Sequence, residues 1–220
     1  MAFEATINKR ETERKNMCSI MGYLGSTLTK EDLKPFFDET ISRGPDMQKM
    51  VAFDGGVLGF ERLSIMGLNP NGMQPFSLNN NMVVCNGEIY GFDAIKQDLI
   101  GRGYSFVSGS DCEILLPMYE VYGTAMFRKL DAEYALIIYD CKKKSFIAAR
   151  DPIGIRPLYY GLLPSGTPVF ASEPKKDAIA PETILGIFGI RQKSFAKPQV
   201  TTAISMRGRT ETSGLTNNGS

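Results

Sequence analysis

The sequence contains no histidine, and this absence narrows its chemistry more than any residue it has. Ser–His and Cys–His nucleophile pairs are excluded outright, as are zinc sites that mix cysteine with histidine. The four cysteines, Cys18, Cys85, Cys112 and Cys141, are scattered with no C-x-x-C among them, which makes a poor Cys₄ site and leaves no metal site expected. An excess of one charge is lacking too. The chain carries 25 basic and 24 acidic residues, net +1, and the stretch 18–175 carries 15 basic and 18 acidic. No electrostatic footprint for nucleic acid or an anionic membrane follows from that balance. No apolar run approaches the roughly 18 residues of a membrane span, and residues 1–17 lack the apolar core of a secretory signal. Phosphate cradles of the G-x-G-x-x-G or G-x-x-x-x-G-K-S/T kind are missing. Free thiols without these features predict a soluble cytoplasmic protein.

What is present starts at Met17-Cys18-Ser19-Ile20-Met21-Gly22, where a polar leader meets the first apolar segment. Two readings of Cys18 stand side by side. It is a small apolar residue opening a strand, or it becomes the first residue of the mature chain. In the second case its own α-amine, with an ordinary pKa of roughly 7.7–8.0, supplies the base that histidine cannot.

Residues 1–17 are polar and aperiodic and read as a disordered leader or as absent from the mature protein. Strands are expected at 18–24, 50–53, 57–65, 82–85, 134–139 and 145–149, with two more near 156–161 and 167–172. Asp54-Gly55-Gly56 signals a hairpin. Helices are expected from Thr29-Lys30-Glu31-Asp32 through Ser42, over 92–101, and over 114–122, the last opened by a Ser110–Glu113 capping box. Asn86-Gly87 reads locally as a hairpin turn or, functionally, as an oxyanion hole. Arg62, costly to bury alone, needs an anionic partner, either structural or a substrate carboxylate. Asp111 complements a helix dipole or binds an ammonium. The stretch 150–158 reads as a rigid charged corner. The mixed, hairpin-rich order argues for an antiparallel-rich α+β sandwich. Residues 176–190 allow one weak helix, and 192–220 reads as disordered.

Taken together, Met17-Cys18-Ser19-Ile20-Met21-Gly22, Arg43-Gly44-Pro45-Asp46, Glu61-Arg62-Leu63-Ser64-Ile65-Met66, Gly72-Met73-Gln74-Pro75, Asn86-Gly87-Glu88-Ile89-Tyr90, Gly109-Ser110-Asp111-Cys112-Glu113 and the 150–158 corner resemble a known family. From Cys18 to about Lys175 the chain is similar to the glutaminase domain of class II, N-terminal-nucleophile glutamine amidotransferases, most closely of the bacterial asparagine synthetase B type. The resemblance implies a four-layer α-β-β-α sandwich of two mostly antiparallel sheets, with domain limits 18–175 and a non-family tail over 176–220. It implies Cys18 as nucleophile, and Asn86 with the Gly87 N–H as oxyanion hole. Arg62 would take the α-carboxylate of L-glutamine and Asp111 its α-ammonium, with Glu88 and the backbone of Leu63, Ser64, Ile65 and Met66 lining the pocket. ATP and Mg²⁺ belong, in that family, to a synthetase domain missing from this chain, so no cofactor is expected here. A synthetase partner or a homo-oligomer is implied as possible company. The alternatives are a catalytically silent glutamine-binding module, with Cys18 blocked by the leader, or a truncated gene product.

Overall fold

The computed structural model describes residues 17–64, 70–163, 165–173 and the strand 203–207. Among the described residues, ten strands fall into two five-stranded sheets. One contains β1 (Ser19–Tyr23), β2 (Met47–Phe53), β3 (Gly56–Arg62), β8 (Tyr159–Leu162) and β9 (Pro168–Ala171), in the order β2-β3-β1-β9-β8. The other is ordered β10-β7-β6-β5-β4, from β4 (Phe76–Leu78), β5 (Asn81–Ile89), β6 (Ala132–Asp140), β7 (Ser145–Arg150) and β10 (Ala203–Arg207). Every pairing between these strands is antiparallel.

Alternation along the strands stacks the layers, because successive side chains leave a strand on opposite faces. In β6, Ala135, Ile137 and Tyr139 enter the core between the sheets, where they meet Ile20, Leu58 and Phe170. Tyr134, Leu136 and Ile138 point the other way, against α2 (Phe92–Gly101) and α3 (Leu115–Tyr122). On the far side, Met21, Tyr23 and Val57 cover Leu33 and Phe37 of α1 (Lys30–Asp38). The expected α-β-β-α sandwich is therefore present. No helix among the described residues is long and apolar enough to cross a membrane.

Helix α1 starts where its sequence signals, with Thr29 and Asp32 forming a reciprocal capping box, and it stops at Asp38, four residues before Ser42. The box expected at Ser110 does not form. Glu113 instead accepts from the N–H groups of Val107 and Ser108 (2.8 Å each), and Ser110 caps a 3₁₀ turn, Asp111–Ile114, without a side-chain bond. Strand β5 runs on through Asn86 and Gly87, which pair with Ala135 and Tyr134, so Asn-Gly is not a turn here. Residues 203–207, placed in the unstructured tail from sequence, add a strand to β7, where an open edge offers its backbone groups. Residues 1–16, 174–202 and 208–220 lie outside the described set, and with them the leader and the remaining tail expectations.

Beneath the start of β1 sits a buried polar network. Ser19 Oγ donates to Thr40 Oγ1 (3.0 Å), which lies 2.8 Å from Glu61 Oε2, while Gln48 Nε2 donates to Glu61 Oε1 (3.0 Å). Burial pushes the Glu61 carboxyl above the usual range, against the hydrogen bonds of Gln48 and Thr40. A carboxyl with a raised folded-state pKa contributes stability at pH below its unfolded value, and this contribution is lost as pH rises through the folded value. Glu61→Gln does not titrate. The parent should therefore lose ground against Glu61→Gln as pH rises from about 4 to about 7. Urea unfolding midpoints of both proteins across that range check the trend.

Candidate active site

Cys18 stands at the mouth of β1, half-buried and held at both ends. Its Sγ accepts from the Leu63 N–H (3.3 Å) and lies 3.7 Å from the Leu63 carbonyl oxygen. Its carbonyl oxygen accepts from Arg43 Nε (3.3 Å). Arg43, only 2% exposed, pairs with Glu173 across 2.7 Å. Ser172 closes the other side, since its Oγ accepts from the Ile20 N–H (2.9 Å) and its own N–H donates to the Ile20 carbonyl (3.1 Å). Cys18 is thus held by Arg43, and the start of β1 behind it by Ser172 after β9.

The corner Arg43-Gly44-Pro45-Asp46 follows α1 and packs against the end of β3. Gly44 lies so close to the Glu61–Arg62 peptide that a Cβ would overlap the Glu61 carbonyl. From that contact the Asp46 N–H donates to the Arg62 carbonyl (3.1 Å), and Asp46 Oδ2 accepts from the Ser64 N–H (2.7 Å). This fixes the chain leaving β3, and with it the Leu63 peptide that touches Cys18.

A cavity of about 110 Å³ opens over the sulfur. Its wall brings together Cys18, just before β1, Arg62 and Leu63 at the end of β3, Asn86, Gly87 and Glu88 of β5, and Asp111 of the 3₁₀ turn after α2. Of the expected residues, Ser64 is placed beside the cavity rather than in its wall, and Ile65 and Met66 lie outside the described residues. Asn86 is 3% exposed, and its Nδ2 has no hydrogen-bond partner among the described residues. Gly87 is required by close approach, because a Cβ there would run into the Glu133 carbonyl and the Tyr134 backbone across the ladder. Asp111 is held rigidly: Oδ2 accepts from the Ile89 N–H (2.7 Å) and Oδ1 from the Cys112 N–H (2.9 Å).

Of the wall residues not expected as site residues, Gln74 and Arg156 stand out. Gln74 exchanges both amide groups with the backbone of Cys85 (2.6 and 3.0 Å), pinning the residue before Asn86. Arg156 reaches the cavity from the charged corner. The signal for both was their place in the Gly72–Pro75 and 150–158 segments, without anything local to assign a role.

Burial pushes the Cys18 thiol above its ordinary value, and the Leu63 N–H with the Arg156 and Arg62 guanidinium groups pulls the other way. Cys112, also in the wall, is pushed up as well, by its hydrogen bond with Cys85 and by burial. Two guanidinium groups and two carboxylates around one small cavity suit a zwitterionic ligand with an uncharged arm reaching a sulfur. Among the described residues no group of three or more Cys, Asp or Glu side chains is arranged to hold a metal ion.

Comparison with known proteins bears on this arrangement. The family described as "Glutamine amidotransferase domain" matches residues 17–206. A probable asparagine synthetase (glutamine-hydrolyzing) of Dictyostelium discoideum is 38% identical over 167 residues, covering 72% of this chain and 30% of that protein. Asparagine synthetase B (glutamine-hydrolyzing) of Escherichia coli K12 is 35% identical over 165 residues, covering 72% and 29%. The chain therefore spans less than a third of the length of these curated relatives. Among solved structures, a glutamine phosphoribosylpyrophosphate amidotransferase from B. subtilis aligns with a TM-score of 0.49 at 21% identity, over 75% of this chain and 38% of that one.

Proposed function

The chain belongs to the glutamine amidotransferase domain family, and from that premise we propose that it hydrolyses L-glutamine to glutamate and ammonia through a γ-glutamyl thioester on Cys18. The observation that carries this reading is the buried amide nitrogen of Asn86, without a partner among the described residues, in the same cavity wall as the Cys18 sulfur. A buried donor left unmatched in the protein is costly. A negative oxygen forming in the cavity would satisfy it.

The steps follow from the residues in that wall. Arg62 receives the α-carboxylate of glutamine, and Asp111, fixed by the Ile89 and Cys112 N–H groups, receives the α-ammonium with Glu88 at the rim. The carboxamide then reaches Cys18. The α-amine of Cys18, once it is the first residue, takes the thiol proton as sulfur bonds to the amide carbon. The C=O electron pair moves to oxygen, where Asn86 Nδ2 and the Gly87 N–H hold it. Collapse of that adduct breaks the C–N bond, and the amine returns its proton to the leaving nitrogen as ammonia. Water, deprotonated by the same amine, splits the thioester to give glutamate and free Cys18.

The relatives are named for asparagine synthesis, and this chain spans about a third of them at most. We extend the proposal accordingly: the ammonia serves amide formation by a synthetase region, where ATP and Mg²⁺ would act, while the glutaminase site needs no cofactor of its own. Protein beginning at Cys18, given L-glutamine, should release glutamate and ammonia in equal amounts, and an electrophilic glutamine analogue should label Cys18. Absence of both products and of the label overturns the reading.

A further inference from the structure

Arg156 has no part in the steps above, yet its surroundings place it with care. Asp151, 3% exposed, fixes the corner: its Oδ1 accepts from the Ile155 N–H (3.0 Å) and its Oδ2 from the Arg156 N–H (3.1 Å). The Asp151 N–H donates to the Tyr134 carbonyl (2.8 Å), which docks the corner on β6 opposite Gly87. The guanidinium is then aimed by Glu133, whose Oε1 lies 3.5 Å from Arg156 Nη2 and also accepts from the Tyr90 hydroxyl (2.8 Å). Both side chains are more than four-fifths covered, at 17% and 18% exposure. Arg156 Nε is buried and makes no hydrogen bond among the described residues, and the side chain lines the cavity with Cys18 and Asn86.

We propose that Arg156 is an electrostatic positioning residue for the glutaminase reaction: from the Asp151-fixed corner it presents a sheltered positive charge to the negative charge carried by the Cys18 sulfur during attack. The role rests on the glutaminase reading, whereas the charge relation to Cys18 does not. A pair at 3.5 Å leaves the guanidinium incompletely compensated, and partial burial lets its field act with less screening than in water.

The other groups facing the sulfur do not replace it. Leu63 gives its N–H; Cys85 and Glu88 face it from β5, Asp111 and Cys112 from the 3₁₀ turn, and Arg43 is engaged with the Cys18 carbonyl and Glu173. Arg62, the other guanidinium in the wall, meets the substrate carboxylate in the proposed complex. Among the described side chains of the wall, Arg156 is then the guanidinium left to face the sulfur when glutamine is bound, beside the α-amine of Cys18 itself.

The test needs no glutamine. Iodoacetamide labelling of Cys18 in the full chain is followed against pH by mass spectrometry of the peptide that contains it, apart from those of Cys85, Cys112 and Cys141. Arg156→Gln should raise the labelling midpoint by about one pH unit, which is about tenfold slower labelling near pH 7. Arg156→Lys should keep most of the parental profile, and Glu133→Gln should leave the midpoint at or below that of the parent. Arg156→Met serves as a second neutral variant should Arg156→Gln unfold. A midpoint in the neutral variants within about 0.2 unit of the parent overturns the proposal. So does an equal upward shift in Glu133→Gln, which would trace the effect to the corner's packing and not to its charge. The expected shift, together with no turnover by protein that begins at Cys18, would sink the glutaminase reading and leave the charge relation standing.

Discussion

Protein that begins at Cys18 should hydrolyse glutamine roughly 10²–10⁴ times faster than the same chain with Met17 in peptide linkage ahead of it, the range a positioned proton-transfer group contributes. The reason is that burial pushes the Cys18 thiol up, so its proton must be taken by a partner, and the sequence offers no imidazole. Among the groups around the sulfur, Asp111 is committed to two backbone N–H groups, Glu88 is assigned with it to the substrate ammonium in the proposed complex, and Arg62 and Arg156 cannot accept a proton. A free amine on Cys18 itself stands within the same residue as the thiol. An amide nitrogen in its place is no base. Met17 also lines the cavity, so its presence obstructs the site as well as silencing the amine. The rate of the Cys18-first protein should rise with pH through the amine's titration, expected near its ordinary range of roughly 7.7–8.0. An ammonia assay on both forms, with intact mass to confirm each N-terminus, measures the ratio. Equal rates would remove the amine from the mechanism. Glutamine binding without turnover in the Met17 form is the behaviour of a silent binding module, and its loss of silence on trimming would tie the two states to one peptide bond.

How far the sequence foretold this arrangement depends on whether the cause is local. Helix α2 ends where its glycines say, and the β2–β3 hairpin turns at Asp54-Gly55, because backbone preference within a few residues decides both. Asn86-Gly87 went the other way. Its local preference is a turn, but eight residues of β5 pair with β6 in register, and that ladder outweighs one dipeptide. The Ser110–Glu113 pattern failed for a similar reason, since Glu113 had two other backbone donors within reach, on Val107 and Ser108. The strand at 203–207 depends on an open edge of β7 far away in sequence. The cavity is the extreme case. Cys18, Leu63, Asn86, Asp111 and Arg156 come from five separate segments, and nothing in the composition of any one announces the others. Recognising the segments together named Cys18, Arg62, Leu63, Asn86, Gly87, Glu88 and Asp111, which line the cavity beside others that it did not name. Arg156 escaped because a charged corner and a charge directed at a sulfur look alike until Glu133 and Asp151 are seen to aim it.

Asn86→Ala in the Cys18-first protein should lower kcat for glutamine by roughly 10²–10³-fold, or about 2.7–4 kcal/mol of transition-state stabilisation, with a much smaller change in KM. The asymmetry follows from when the amide is used. In the proposed complex the uncharged carboxamide gains little from Asn86 Nδ2, and recognition of the substrate's two charges is assigned to Arg62 and Asp111, which also line the cavity. Only when sulfur has bonded to carbon does a full negative charge sit where the buried Nδ2 points. Asn86→Asp sharpens the case, because it keeps the shape and replaces the donor with a carboxylate that repels the oxyanion, so its kcat should fall at least as far as that of Asn86→Ala. Iodoacetamide gives the control. Its displacement at carbon builds no tetrahedral oxyanion, so Cys18 in Asn86→Ala should alkylate at the parental rate while glutamine turnover collapses. If alkylation and turnover fall together, Asn86 serves by holding β5 and the sulfur in place, and the oxyanion role fails. If turnover survives the substitution, the charge is stabilised elsewhere, and the unpartnered nitrogen in the wall would need another explanation.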